Sequence, residues 1–321
     1  MKTVSLARNA MATRFEMVLH GEDELGLRAA GEEALDEITA LAAQLNFYGA
    51  DSEICRINAG AALGPMPVEP GLFRLLQEAK CVHELSGGTF DITVAPLMRC
   101  WGFADGEHRV PSPGELAKAR ECVGMDLVHL DAKNITVQFE RPGVRVDLGA
   151  IGKGFALDIV GQIVREAGIT SALIHGGTST VCAIGSPPEK DFWKVAIEHP
   201  GCEQPGADIP EYKRIVAVAE LNDESLSVSA GWGKAFEENG VSYGHVLDPR
   251  CGQPTQNTLL AAVALPSGTA ADAWSTAMLV SGVAGPVALG QVGESARSLL
   301  LLPNGDSGFR TLNDGFESAL S

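Results

Sequence analysis

Two oxygen-bearing side chains four residues apart, Asp272 and Thr276 in "TAADAWSTAML", project from one face of a helix about one turn apart. A carboxylate and a hydroxyl placed in this way are hard oxygen donors of the kind Mg²⁺ takes. Ser275 lies beside them, shares that face imperfectly and belongs to the same candidate set. The spacing also fits a plainer arrangement, in which Asp272 favours the helix N-terminus electrostatically and Thr276 merely packs.

A second stretch, "VDLGAIGKGFALDIV" at 146–160, runs from apolar residues through Asp147 into a glycine-rich turn and then into a helix. Its glycine spacing is not that of a dinucleotide-binding turn. Gly154 also follows Lys153 where a P-loop carries a hydroxyl. A sharp turn leaves main-chain groups unpaired, so the Ala150 carbonyl is available to a metal and the N–H groups to a phosphate, with Lys153 adding a point charge. A tight strand-to-helix connection with a solvated lysine is the alternative.

In "SYGHVLDPRCGQP", His245 precedes a turn at Asp248-Pro249-Arg250 closed by Gly252. A histidine held there is able to bind a nucleotide or move a proton, and it equally suits a structural role. "SGGTFDITVAPLMRCWGF" sets Thr89, Phe90 and Asp91 after a glycine pair, with Trp101 and Phe103 close in sequence and Tyr48 as a further ring. Rings with a few polar groups suit a planar heterocycle and also an ordinary core. "HGGTST" at 175–180 is another loop built for close approach.

These residues need elements to hold them. Residues 12–20 read as a strand. Leu35, Ile38, Leu41, Ala42 and Leu45 mark an amphipathic helix from Asp23, which "NFYGADSEICRIN" breaks. A second helix covers about Gly71 to Leu85 and stops at Gly87 and Gly88. "ITVQFERPGVRVDL" reads as a hairpin around Arg141-Pro142-Gly143, and the glycine loop leads into a helix ending near Ala167. Further strands are expected in "SALIHGGTSTVCAIG", "FWKVAIEH", "IVAVAELND", "SLSVSAGW" and "ARSLLLLP", with a surface loop at 201–213. Helices and hairpins mixed in this order point to an α+β fold.

The chain has 321 residues, 45% hydrophobic and 20% charged, enough for a substantial core. Its net charge of −17 argues against nucleic acid and anionic membrane surfaces as partners. A phosphorylated ligand therefore needs local positive charge, and a metal ion is one source. The seven cysteines contain no C-x-x-C pair, so neither a zinc site nor a disulfide framework is indicated. No signal-peptide core opens the sequence and no later stretch is long and apolar enough to span a membrane, so a cytoplasmic location is expected, or a periplasmic one if a leader has been removed.

Taken in order, "MATRFEM", "YGADSEICRIN", "SGGTFDITVAPLMRCWGF", "VDLGAIGKGFALD", "IHGGTSTVCAIG", "GHVLDPRCGQP" and "ADAWSTAM" resemble the successive motifs of the ApbE family, the FAD:protein FMN transferases, from about residue 11 to residue 282. The resemblance implies a single ApbE-like α+β domain over 1–321, with mixed, largely antiparallel sheets, packed helices and a nucleotide site between two lobes. It implies an enzyme that takes FAD with Mg²⁺ and moves the FMN part onto a threonine hydroxyl of a target flavoprotein, releasing AMP. Carried over by motif, the metal ligands are the Ala150 carbonyl, Asp272 and Thr276. Flavin-nucleotide contacts fall to Met11, Tyr48, Thr89, Phe90, Asp91, Asp147, Lys153 and Val246, and His245 is the base. Some members carry a second aspartate where this chain has Ser275, which tilts the expectation from hydrolysis towards transfer. Many members are exported lipoproteins with an N-terminal lipobox cysteine, whereas the first cysteine here is Cys55. The competing readings are a Mg²⁺-dependent FAD pyrophosphatase and a non-catalytic FAD-binding protein. Asp272, Thr276 and His245 argue against the latter, since a carrier has no need of a metal on the diphosphate.

Overall fold

The computed structural model describes the whole chain except residues 105, 204–213, 232–234, 294, 305–307 and 319–321. Most of the loop expected at 201–213 therefore lies outside the described residues.

An eight-stranded sheet runs through the centre. Its strands follow the order Lys2–Ala10, Thr13–Gly21, Ser171–Gly176, Thr180–Ile184, Ser225–Ala230, Leu260–Leu265, Arg297–Asn304 and Gly308–Asp314. Every neighbouring pair is antiparallel. The helices Glu24–Gln44, Gly152–Glu166 and Gly268–Ser281 pack on one face. A three-stranded sheet of Trp193–Glu198, Ile215–Leu221 and Glu317–Ser318 packs on the other.

Side chains alternate across a strand, so successive residues enter different cores. Ala261, Val263 and Leu265 face the helices, while Leu260, Ala262 and Ala264 face the second sheet. This two-sided burial explains why "LAAVAL" is apolar throughout instead of alternating, as an antiparallel strand with one wet face would. The α+β class is as expected.

Three features differ from the expectation. The first strand, Lys2–Ala10, has mostly solvated side chains and so little apolar signal. A helix at Glu53–Gly60 begins inside the stretch read as a break, started by Ser52, whose hydroxyl accepts from the Cys55 N–H at 3.0 Å. The hairpin around Arg141-Pro142-Gly143 does not form. Instead Thr136–Phe139 pairs back onto Val128–Asp131, and residues 144–148 run on as extended chain outside any strand. Asn58 on the Glu53–Gly60 helix takes the place of a strand partner. Its amide donates to the Val146 carbonyl at 2.9 Å, and its side-chain oxygen accepts from the Val146 N–H at 2.8 Å. The alternation of Val144, Val146 and Leu148 reported burial correctly, but a side-chain amide can satisfy extended backbone as well as a strand can.

Candidate functional site

The two glycine-rich features of the sequence meet at the contact between the Gly152–Glu166 and Gly268–Ser281 helices. A Cβ on Gly154 would lie 2.0 Å from the Gly268 carbonyl oxygen and 2.8 Å from the Asp272 Cβ. Glycine is thus required at 154 so that one helix backbone can lie against the other. The same approach lets the Gly154 N–H donate to Asp272 Oδ2 at 3.0 Å. The second helix is pinned at its start by Asp158, which accepts from the Gly268 N–H at 2.6 Å, the Thr269 N–H at 2.9 Å and the hydroxyls of Ser267 and Thr269. Burial first, and the Asp158 charge second, push the neighbouring Glu78 carboxyl up to about 6.

Asp272 is 3% exposed. Its Oδ1 accepts from the Ser227 hydroxyl at 3.0 Å, with Lys153 Nζ 3.8 Å away. The Thr276 hydroxyl hydrogen-bonds Ser229 at 3.1 Å. Asp272, Thr276, Lys153, Asp147 and Ala150 all line one cavity of about 1090 Å³. Ser275 does not. It is fully buried, donates to the Asp272 carbonyl at 2.9 Å and shares a 2.7 Å hydrogen bond with Ser229, so it supports the site from behind.

Thr89, Phe90 and Asp91 reach the same cavity after the turn at Gly87 and Gly88, whose φ values of 64° and 79° suit glycine. Asp91 Oδ1 accepts from the Thr93 N–H at 2.7 Å and its hydroxyl at 2.5 Å, and Asp91 Oδ2 lies 3.2 Å from His83 Nδ1. Burial pulls the His83 imidazole down, but the Asp91 carboxylate, the Phe90 carbonyl and the Asp126 charge together outweigh it, so the net shift is upward.

His245 and Val246 also line the cavity. The turn after them is closed by the Gly252 N–H donating to the Asp248 carbonyl at 2.7 Å, and Arg250 clasps the Asp248 carboxylate at 2.7 and 2.9 Å. The Trp101 indole N–H donates to the Gly252 carbonyl at 2.8 Å. Trp101 and Phe103 form a separate aromatic core with Phe236, Tyr243 and Leu247. Their flat surface supports the His245 segment from outside the cavity wall.

Two further expected contacts stand apart from the wall. Tyr48 is 73% exposed and meets the Phe47 ring edge-on. Met11 lies in the two-residue turn between the first two strands, where Met11 and Ala12 have φ values of 47° and 58°. Left-handed backbone at two non-glycine residues costs about 1–2 kcal/mol each, strain of the kind that collects at functional sites. Thr13, Arg14 and Glu16, just beyond this turn, do line the cavity.

Sequence reasoning missed His175, whose imidazole burial holds down, the hydroxyls Thr178 and Ser179, and the run Lys194–His199. The "HGGTST" loop carried a signal in its glycines: Gly177, at φ 72°, packs where a Cβ would meet the Thr13 hydroxyl at 2.3 Å. The strand residues carried none.

The donor set can be tested against Mg²⁺. One buried carboxylate, one hydroxyl and one main-chain carbonyl on a common wall are hard oxygens, and Mg²⁺ is commonly held by one or two carboxylates together with waters and substrate phosphates. Among the described residues there is no cluster of three or more His, Cys, Asp or Glu that would form a cage of protein ligands alone. The residues fit an ion shared with a phosphorylated substrate.

The family model described as the ApbE family matches residues 11–294. The FAD:protein FMN transferase of Haemophilus influenzae is 30% identical over 291 residues, which are 88% of this chain and 81% of that protein. That of Vibrio cholerae is 28% identical over 271 residues, 83% of this chain and 77% of the other. Among solved structures, the ApbE protein of Thermotoga maritima superposes with a TM-score of 0.84 at 26% identity, covering 98% of this chain and 97% of its own. The apo form of Pseudomonas stutzeri flavinyl transferase ApbE gives 0.81 at 26% identity, covering 97% and 94%. The chain belongs to the ApbE family. Among the described residues no helix is long and apolar enough to cross a membrane.

Proposed function

We propose that this chain, by family an FAD:protein FMN transferase, acts with Mg²⁺ to move the FMN part of FAD onto a threonine hydroxyl of a target flavoprotein and releases AMP. One observation carries the reading: the buried Asp272, Thr276, the glycine bend and Lys153 share one cavity wall. We read the chain as one catalytic domain whose cavity is lined by the central sheet, the second sheet and the helical layer together.

In this reading the FAD diphosphate lies along the bend at Gly149 and Ala150, where main-chain groups and the Lys153 ammonium offset its charge. Ala150, Asp272 and Thr276 would hold Mg²⁺. When bound, the ion supplies Lewis-acid polarisation of a phosphoryl oxygen. Thr89, Phe90, Asp91 and Val246 contact the flavin nucleotide, with Asp147 beside the phosphates, and Met11 and Tyr48 approach from the rim. The threonine oxygen forms a bond to the FMN phosphorus as the bond from that phosphorus to the oxygen of AMP breaks. His245 accepts the hydroxyl proton. Ser275 positions Asp272 and Thr276 through its hydrogen bonds and does not itself act as a ligand.

The test is an incubation with FAD, Mg²⁺ and a candidate target domain, following AMP release and target mass. AMP with a target heavier by one FMN supports transfer. AMP with free FMN supports hydrolysis instead, and no AMP removes the catalytic reading. In the same assay Asp272→Ala is expected to lower turnover at least about a hundredfold, as loss of a principal electrostatic group does.

A further inference from the structure

One wall of the cavity carries none of the residues assigned above to FAD or the metal. Lys194, Val195, Ala196, Ile197, Glu198 and His199, six consecutive residues, all line it. A strand that turns a face to a cavity contributes every second residue, whereas one that contributes all of them presents its edge. Trp193–Glu198 is the end strand of its sheet and, among the described residues, pairs only with Ile215–Leu221.

The parity of that pairing follows from the next residue. The His199 N–H donates to the Arg214 carbonyl at 2.7 Å. The register is irregular between Ile197, which faces Ala217, and Glu198, which faces Ile215; the extra residue, Val216, lies on the neighbouring strand. The two-residue period of Trp193–Glu198 itself is therefore kept, and the main-chain groups of Val195 and Ile197 point the same way, into the sheet. Those of Lys194, Ala196 and Glu198 then point outward into the cavity. Natural sheets blunt such edges with lysine, proline or bulges. Here the strand contains no proline, and the extra residue of the register irregularity at Ile197 and Glu198 sits on the inner neighbour, not on this strand. The Lys194 ammonium is drawn over its own sheet by Glu220 at 2.9 Å and Glu317 at 3.5 Å. Ala196, exposed and small, leaves the middle of the edge open.

We propose that the target flavoprotein docks here, its acceptor segment adding as an extended strand to the open edge of Trp193–Glu198. The inference rests on the transfer reading above, in which the second substrate is a protein whose hydroxyl must reach the wall of Asp272 and Thr276. An edge opening into that same cavity supplies the path. Main-chain hydrogen bonds would give affinity with little demand on side-chain identity.

Ala196→Pro removes the outward donor at the centre of the edge and spares those of Val195 and Ile197. The KM for the target domain is expected to rise about tenfold or more, the size of one to two lost hydrogen bonds, while FAD affinity measured by flavin fluorescence holds. A folded variant with unchanged KM overturns the proposal. Should the variant fail to fold, the wild-type enzyme decides. Short peptides spanning the modified threonine, each N-methylated at one residue, are tested as inhibitors of domain flavinylation. Strand addition requires that inhibition be lost at every second residue; uniform loss, or none, rules it out. If the unmodified domain takes no flavin at all, the transfer reading fails first and this inference goes with it.

Discussion

His83, paired with Asp91, is a titrating imidazole next to the expected flavin contacts. The imidazole lies 3.2 Å from the carboxylate and 3.0 Å from the Phe90 carbonyl, and Asp126 adds a more distant negative charge. Its folded pKa is raised above 6.5. A raised folded value means that the stabilisation is present in full below 6.5 and fades as pH climbs through the folded pKa. His83→Gln keeps much of the shape without the charge. Its stability deficit against wild type, from denaturant unfolding, should be larger at mildly acid pH and shrink on the alkaline side. A deficit that grows with pH would contradict the pairing. His83 itself carried no sequence signal, because nothing in "VHELSGGTFD" says that the chain turns back at Gly87 and Gly88 to bring Asp91 beside it.

Among the elements, the pair of helices Gly152–Glu166 and Gly268–Ser281 determines whether the site exists. Two glycines two residues apart make the contrast. A Cβ on Gly154 would strike the Gly268 backbone, whereas one on Gly152 would meet Leu45 Cδ1 at 3.7 Å and Leu148 Cβ at 4.0 Å, both ordinary contacts. Gly154→Ala should therefore cost about 3 kcal/mol or more by overpacking and displace the N–H that holds Asp272. Gly152→Ala should be neutral or mildly stabilising. Thermal melts of the two variants are the comparison, and equal melting temperatures would mean that the helices are not in intimate contact. The sequence marked this loop through its glycines but not the partner that demands them, because Gly268 is far along the chain. The misplaced hairpin at 136–148 has the same origin: alternation identifies extended, buried chain, while pairing depends on what else is within reach, here Asn58.

Across the whole molecule, a net charge of −17 opposes an anionic dinucleotide. Without divalent cations, FAD affinity should rise as KCl is increased, because the Debye length falls from about 30 Å at 0.01 M to about 8 Å at 0.15 M and screens the repulsion. Fluorescence titrations at the two salt concentrations measure this. A fall in affinity with salt would mean that Lys153, Arg14 and Lys194 govern the local field instead. The sequence alone determined the α+β class, the helical face carrying Asp272 and Thr276, the glycine bend and the family, all of which reside in local spacing or in the order of motifs along the chain. Tertiary structure alone decided that Ser275 turns into the protein, that Trp101 and Phe103 support the His245 segment from behind the wall, that Tyr48 points to solvent, and that Trp193–Glu198, an end strand among the described residues, lines the cavity. Periodicity reports which side of an element avoids water. It does not report which distant surface covers that side, and each of these outcomes depended on such a meeting.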